Sequence, residues 1–448
     1  MAEVITETGK ALEKKSYAYP WYVVFICMVA YIFSYVDRQI LSLLIEPIKA
    51  DLKLSDTQFS LLHGLAFSLF YASMGIPMAY LADRFSRPKV IAIGVLVWSI
   101  ATVACGITKN FIQMFLARMN VGIGEAALSP AAYSMIADYF PKEKLGRALA
   151  VYSIGSFIGG GLALIIGGAV IDMVSSADEI SLWGIGIVRP WQVTFFIVGF
   201  PGILVALVIY LTVKNPPRRN LVAVKNNAEE DAVSFWRALH FMKQHSRTFV
   251  YMFSGFSFAA MGLFCVLSWS PAFYMRRFGM TAGEVGYVIG VIMLICNTLG
   301  VLGSGWLTDY FQKIGKSDAS IRAGMCGGIG LLIPISLYPV ADNMMVSFVL
   351  LAAALFFSSF PLATSAAAMQ ILVPNRMRAQ VSALFLFFSN IFGLTIGSLL
   401  VATMTDRVFQ DETAVGYSIM TVGGVATLAH IILLYKGLKY FRESLSRH

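Results

Sequence analysis

Charged residues are scarce in this chain of 448 residues, since Asp, Glu, Lys and Arg make up only 13% of it. A soluble globular chain carries about 25% charged residues. Hydrophobic residues account for 58%, and the mean hydropathy is +0.72. A surface this apolar is solvated by lipid, where helices satisfy their backbone groups internally. The composition therefore excludes an ordinary soluble domain and predicts a helical membrane protein.

Cysteine is also rare, and the five cysteines all lie within apolar runs without a CxxC pair. We interpret them as small buried hydrophobic residues, so neither a disulfide framework nor a metal site is predicted. The chain lacks HExxH and GxSxG motifs, and we predict no cofactor and no enzymatic activity. The net charge of +9 invites a nucleic-acid interpretation, but the basic residues form short patches between apolar runs. Nucleic-acid binding is therefore not predicted.

Apolar runs of helical length recur twelve times, and each spanning helix needs about 20 apolar residues. The sequence therefore predicts an all-α polytopic membrane protein with twelve transmembrane helices. The polar segment 374–378 divides the longest run, 344–405, into two spans. The predicted spans are 20–44, 57–82, 89–108, 111–139, 146–173, 190–213, 248–275, 282–308, 320–341, 344–373, 379–404 and 413–435.

Lysine and arginine are distributed unequally between the connections. If both termini are cytoplasmic, 25 of the 34 Lys and Arg residues fall in inner segments and seven in outer segments. Cytoplasmic loops carry such an excess of positive charge. We therefore expect a multi-pass protein with cytoplasmic N- and C-termini, in the plasma (inner) membrane.

The longest and most polar connection, 214–247, divides the chain into six-helix bundles over 1–213 and 248–448. Within this cytoplasmic linker, apolar side chains share one helical face beside two basic residues, which predicts an amphipathic helix on the membrane surface. These residues are Phe235, Trp236, Leu239, Met242, Arg237 and Lys243. A solvated linker is the alternative interpretation.

The two halves repeat weakly, because 80–85 resembles 306–311 and 141–148 resembles 374–381. The offsets between these pairs are similar, and both pairs fall at equivalent spans. Parallel repeats related by an axis along the membrane normal are typical of transporters. The sequence therefore predicts two pseudo-symmetric bundles.

Four charged residues stand out deep inside predicted spans: Asp37 and Arg38 in span one, and Arg118 and Glu125 in span four. A charge at the bilayer centre costs about 2.5–3.5 kcal/mol, so such residues are candidates for function. Arg118 and Glu125 share one helical face, whereas Asp37 and Arg38 point in different directions and need different partners. We predict proton coupling at Asp37 and Glu125, and substrate binding at Arg38, Arg118 and Glu125. The alternative is a set of static salt bridges that fixes helix packing.

The second half offers no comparable intramembrane charge, and its candidate substrate-binding residues are Trp269, Asn297, Phe385 and Asn390. An amphipathic substrate with a charged head and an apolar tail suits this division between the halves. A small anion bound by the first half alone is the alternative.

Acidic and basic residues also meet at the predicted cytoplasmic ends of spans two and eight. Asp83, Arg84 and Arg87 lie at the first, and Asp309 lies at the repeated position. We predict a cytoplasmic gate in which these charges lock the halves together. An ordinary basic loop with an acid at the helix end is the alternative.

Residues 79–89 resemble the loop 2–3 signature of the major facilitator superfamily, with Ala79 and Ser86 in place of its glycines. Residues 118–126 resemble the span-four signature of the spinster-like lipid transporters, and residues 35–39 fit the same pattern. Some organic-anion transporters of the superfamily carry a similar span-four sequence.

The resemblance implies the major facilitator fold and proton-coupled export of lysolipids or sphingolipid-like molecules. It implies that Asp37 is the proton-responsive acid, that Arg38, Arg118 and Glu125 form the adjacent head-group site, and that Asp83 and Arg87 belong to the cytoplasmic gate. The expected partners are an amphipathic substrate, the proton and membrane lipids, and a monomer suffices for this architecture. A small organic-anion carrier and a non-transporting lipid sensor are the alternatives.

Overall fold

The computed structural model describes residues 17–174, 180–182, 186–217, 228–374 and 377–446. Ten helical segments in this part of the chain are long and apolar enough to cross a membrane. They are Ala18–Leu43, Arg87–Cys105, Arg147–Val174, Pro190–Thr212, Ser246–Phe278, Ala282–Lys313, Ala319–Val340, Met344–Leu372, Gln380–Phe409 and Glu412–Leu445. They coincide with ten of the predicted spans.

The remaining two predicted spans are helical but interrupted. Span two runs through Asp56–Ser60, a π-helical turn at Leu61–Leu65, and Ala66–Arg84. Span four consists of Phe111–Glu125 and Leu128–Tyr139, which are separated by a two-residue turn. The fold is therefore the predicted all-α membrane architecture of twelve spans, numbered below in chain order.

Local hydrogen bonds explain where several spans begin. The Ser55 side chain accepts a hydrogen bond from the Gln58 backbone at the start of span two, and Thr281 accepts one from Glu284 at the start of span eight. In both cases the side-chain oxygen of Gln58 or Glu284 in turn accepts a hydrogen bond from the backbone N–H of the cap residue. Such reciprocal capping satisfies amide groups that the first helical turn leaves unpaired.

Two elements at the connections were not predicted. The helix Ile45–Leu52 follows span one, and strands Ile180–Leu182 and Gly186–Val188 pair antiparallel between spans five and six. Both elements are too short to show a clear periodic pattern in the sequence.

The linker contains a helix, Ala228–Gln244, which we call the linker helix. Its residues Ala238 and Phe241 are buried in a cluster with span-seven residues such as Phe249, whereas Trp236 is 69% exposed. One face of the predicted amphipathic helix therefore packs on the second half of the protein. Residues 218–227 of the linker lie outside the described part of the chain.

Spans five and eight pack closely through glycines in their predicted outer halves. A Cβ atom built on Gly161 would lie 2.8 Å from the Gly290 carbonyl oxygen, and one on Gly168 would lie 2.9 Å from that of Gly283. Small residues permit such close approach of membrane helices. The contacts bring the two halves of the chain together on this side of the molecule.

Spans two and eleven make the corresponding contact on another side. The π-helical turn of span two faces a second π-helical segment, Ile391–Gly397, in span eleven. A Cβ atom on Gly64 would lie 2.7 Å from the Leu394 carbonyl oxygen. The Ser60 and Ser398 hydroxyl oxygens are 3.2 Å apart, and Ser68 hydrogen-bonds Thr395. Polar and small residues therefore join the halves from the predicted outer end to the middle of these spans.

Candidate functional site

Span one carries Arg38 against span four, where it meets Glu125. The Arg38 Nε and Nη2 atoms lie 2.7 Å and 2.6 Å from Glu125 Oε2, and the Ser34 hydroxyl donates to the same oxygen at 2.6 Å. The Glu125 side chain is fully buried, whereas the Arg38 side chain keeps 16% of its surface exposed. The Glu125 carboxylate is therefore shielded from solvent, whereas part of the Arg38 guanidinium side chain remains accessible.

Asp37 is buried on a different face of span one and has different neighbours. The Thr102 hydroxyl donates to Asp37 Oδ2 at 3.1 Å, and Arg118 Nη1 donates to the Asp37 backbone oxygen at 3.1 Å. Arg118 thus contacts the Asp37 backbone and not its carboxylate. Asp37 Oδ1 has no hydrogen-bond partner within the described residues. As the sequence pattern predicts, Asp37 and Arg38 take separate partners.

Aromatic rings surround the exposed guanidinium of Arg38. Its Cζ atom lies 5.1 Å from the Tyr35 ring centroid and 4.6 Å from each of the Phe67 and Tyr71 centroids. Cations over aromatic faces are attracted by the ring quadrupole. Phe67 and Tyr71, which lie in span two, were not among the residues predicted for the site. The sequence indicates only that these two rings share one helical face, because they are four residues apart.

Several buried polar atoms near these charges have no partner among the described residues. They include Glu125 Oε1, Arg118 Nε and both ring nitrogens of His63. Buried polar atoms are normally hydrogen-bonded. Their concentration between spans one, two and four fits a site that exchanges water, protons or a ligand.

The four candidate substrate-binding residues of the second half are separate from the Arg38 site, and three of them contact neighbouring helices or their own helix. Trp269 donates its ring N–H to the Ser398 backbone and hydroxyl oxygens at 3.1 Å. Phe385 packs edge-on against Phe253 with ring centroids 5.3 Å apart. Asn390 donates to its own helix, at the Leu386 oxygen. Asn297 is buried, and its Oδ1 atom has no partner among the described residues. Substrate binding by these four residues stays a prediction.

Among the predicted gate residues with described side chains, Arg84, Arg87 and Asp309 do not form one cluster. Arg87 is buried within the first half, where it binds Asp138 and the Ser134 and Pro216 backbone oxygens. The Arg84 Cζ atom lies 4.4 Å from the centroid of the Tyr80 ring, and Asp309 is exposed. The side chain of Asp83 lies outside the described part of the structure. Arg87 therefore ties spans three and four to the start of the linker.

A second charged cluster, at the predicted outer end, was not anticipated. Asp56 binds Lys49 and both terminal nitrogens of Arg276, at 2.7 Å and 2.8 Å from the latter. Arg276 also binds Glu46 at 2.7 Å, and Lys49 binds Glu412 at 2.8 Å. We call these five residues the outer cluster. No sequence pattern predicts this cluster, because its members are distant in the chain: Lys49 and Glu412, for example, are 363 residues apart.

Asp406 of span eleven closes the same end of the molecule. Its carboxylate accepts hydrogen bonds from the Asp56 and Thr57 amides, at 3.3 Å and 2.6 Å. Carboxylates are stabilised at helix N-termini, where the amides are otherwise unpaired. An acid from the second half therefore caps a helix of the first half.

Known proteins match almost the whole chain. The family model described as Major Facilitator Superfamily matches residues 27–430. An MFS-type efflux pump of Mycolicibacterium smegmatis is 29% identical over 95% of this chain and 94% of its own length. A probable L-galactonate transporter of Escherichia coli is 28% identical over 80% of this chain and 78% of its own.

Within the described residues, no group of three or more His, Cys, Asp and Glu side chains is arranged to hold a metal ion.

The crystal structure of a bacterial homologue of the human lysosomal transporter spinster, inward-facing and unoccupied, superposes with a TM-score of 0.77 at 25% identity. It covers 96% of this chain and 98% of that one. These relatives are transporters, and the predicted spinster-like resemblance is confirmed. The chain belongs to the Major Facilitator Superfamily.

Proposed function

We propose that this transporter moves an amphipathic lysolipid or sphingolipid-like molecule by proton-coupled alternating access. The observation that carries the proposal is the arrangement around Arg38, a partly exposed cation held between Glu125 and three aromatic rings. A phosphate or carboxylate head group would bind the guanidinium. The rings would contact the first apolar part of the substrate.

Proton coupling is supported by the position of the two acids. Glu125 neutralises Arg38, so protonation of Glu125 would release the guanidinium for an anionic head group. Asp37 is next to Arg38 in the chain, and its buried Oδ1 atom, which has no hydrogen-bond partner in the described part of the structure, can accept a proton. Substrate and proton would therefore compete for, or share, the same few charges. Such intramembrane acids are typical of proton relays in transporters.

Alternating access is supported by the way the halves meet. The polar contacts described above between the halves come from residues 46–68 of the first half, and the glycine contacts of span five come from its predicted outer half. We infer that this structure is closed toward the outside. Rocking of one bundle against the other would open the outer end and close the inner one.

A small organic-anion carrier is the second candidate. It is favoured by the similarity to the L-galactonate transporter and by the presence of Arg38 and Arg118 in one region of the first half. A sugar acid would need only these arginines and no apolar contact. A lipid sensor that moves nothing is a third candidate, and transport measurements separate it from the other two.

The test uses purified protein in proteoliposomes, with a lysophospholipid, a sphingoid compound and a sugar acid as substrates at acidic and neutral pH. We expect transport of one lipid class that depends on the pH gradient. Asp37→Asn should abolish that dependence. Asp342→Asn is the control, because Asp342 pairs with Arg277 at an exposed site.

Transport of sugar acids alone would replace the lipid proposal with the anion carrier. Unchanged transport and unchanged pH dependence in Asp37→Asn would show that Asp37 is not the proton site. Binding of lipid without transport would identify a sensor.

A further inference from the structure

A groove of about 700 Å³ lies beside the linker helix, at the predicted inner surface of the second half. Leu239 and Phe241 of the linker helix line it together with Met377, which immediately precedes the helix of span eleven. The groove is remote in the chain from Asp37, Arg38, Arg118 and Glu125. The side chains of Leu239, Phe241 and Met377 form an apolar floor, and the groove lies where span eleven begins.

Contacts between the linker helix and span seven hold the groove in place. Ala238 is fully buried, and the Phe241 ring packs edge-on against Phe249 with centroids 5.8 Å apart. This docking leaves Arg237, His240 and Lys243 exposed along the rim. Trp236, which is 69% exposed, also lies on the rim. The helix thus presents two basic side chains and an indole above an apolar floor.

We propose that this groove binds one anionic phospholipid from the leaflet that contacts the linker helix. The phosphate would bind Arg237 and Lys243, and an acyl chain would lie along Leu239 and Met377. Basic residues beside a membrane attract anionic lipids, and tryptophan is enriched at the level of the head groups. This site is separate from the transported substrate and does not depend on its identity.

A lipid fits the groove better than a soluble anion or a protein segment. A soluble anion would use the cations but would leave the apolar floor exposed to water. A protein helix would need an apolar strip along the rim, where the exposed side chains are mainly basic and polar. The groove also lies next to the starts of spans seven and eleven, at Ser246 and Arg378, where head groups surround the protein.

The first experiment measures thermal unfolding of the full-length protein in non-ionic detergent. The additives are phosphatidylglycerol, phosphatidylcholine and the soluble anion glycerol 3-phosphate. Phosphatidylglycerol should raise the midpoint more than the other two. Its apparent affinity should fall roughly 30-fold in Arg237→Gln/Lys243→Gln, since each surface cation contributes a factor of about five. The control is Lys313→Gln/Lys316→Gln, which removes two exposed cations from another loop on the same predicted side.

Equal stabilisation by phosphatidylcholine would overturn the proposal, as would equal stabilisation by glycerol 3-phosphate. An equal loss of affinity in the control would assign the effect to general surface charge and would also overturn it.

A second measurement stays informative if the double variant folds poorly. Brominated lipids quench tryptophan fluorescence on contact, so the wild-type protein is compared with Trp236→Phe in nanodiscs. The quenching that disappears with Trp236 should be greater for brominated phosphatidylglycerol than for brominated phosphatidylcholine at the same mole fraction. High salt should remove that difference by screening the cations. Equal quenching by both lipids would contradict the site.

Discussion

Arg38 makes structural contacts at the same position where we propose that it binds substrate. Its charge is balanced by Glu125, and its plane lies among three aromatic rings. Lysine would keep the charge but lose the bidentate fork and the stacking. The guanidinium therefore combines the proposed site for an anionic head group with contacts between spans one, two and four.

Asp56 holds the outer cluster together because its carboxylate forms ion pairs with both Lys49 and Arg276. Its side chain is fully buried, and those of Lys49 and Arg276 are 5% and 6% exposed. Removing one partner of a buried ion pair leaves an uncompensated charge, at a cost of about 3–5 kcal/mol. We predict a loss of stability of this size in Asp56→Asn, measured by thermal and chemical unfolding in detergent.

Asp342→Asn is the matched control for that substitution. Asp342 binds Arg277, but the two side chains are 92% and 50% exposed. Exposed pairs contribute about 0–1 kcal/mol, so this variant should resemble the wild type. Equal effects of the two substitutions would mean that burial does not govern the outer cluster.

Span two has an irregular helical geometry at its contact with span eleven. Its π-helical turn lies against the π-helical segment of span eleven, and such turns often occur at functional sites. Gly64 permits this contact, because any side chain there would meet the Leu394 backbone. The sequence pattern predicts a helix in this region, and the turn appears only in the structure.

We predict that Gly64→Ala separates spans two and eleven and lowers both the unfolding midpoint and transport. The new Cβ atom would lie 2.7 Å from a backbone oxygen, which cannot move without shifting the helix. Gly75→Ala in the same span is the control, since nothing lies within 4 Å of its Cβ position. Alanine is favoured over glycine in a helix by about 0.5–1 kcal/mol, so the control should be neutral or slightly stabilising. A neutral Gly64→Ala would contradict the close contact.

For the whole molecule, the contacts between the halves predict a conformational lock. Ser60 and Ser398 lie on opposite halves with hydroxyl oxygens 3.2 Å apart. In Ser60→Cys/Ser398→Cys, oxidation should join the halves and stop transport, and a reducing agent should restore it. The measurement is transport in proteoliposomes before and after each treatment.

The two single-cysteine variants control for the five native cysteines. Both should be insensitive to the same oxidation. If the double variant forms its disulfide and still transports at the wild-type rate, alternating access does not require these spans to separate.

The twelve spans could be predicted from the sequence because each apolar run is long enough to cross the bilayer and is bounded by polar connections. The candidate charges could be found because an ionised side chain in hydrocarbon is costly and therefore rare. The partners of these charges were only partly predictable. Arg38 and Asp37 point in different directions from one helix, so they were expected to have different partners. The helical periodicity does not show, however, that the Asp37 carboxylate contacts Thr102 and that Arg118 contacts Asp37 only at its backbone.

The sequence by itself determined the membrane architecture, the position of its intramembrane charges and the resemblance to a transporter family, since these follow from local hydropathy, charge and motif. Tertiary structure alone decided the outer cluster, the aromatic surroundings of Arg38 and the contact between Gly64 and Leu394. Asp56 and Arg276 are 220 residues apart in the chain. Such contacts depend on how the helices pack, and no periodic pattern records which distant side chains that packing brings together.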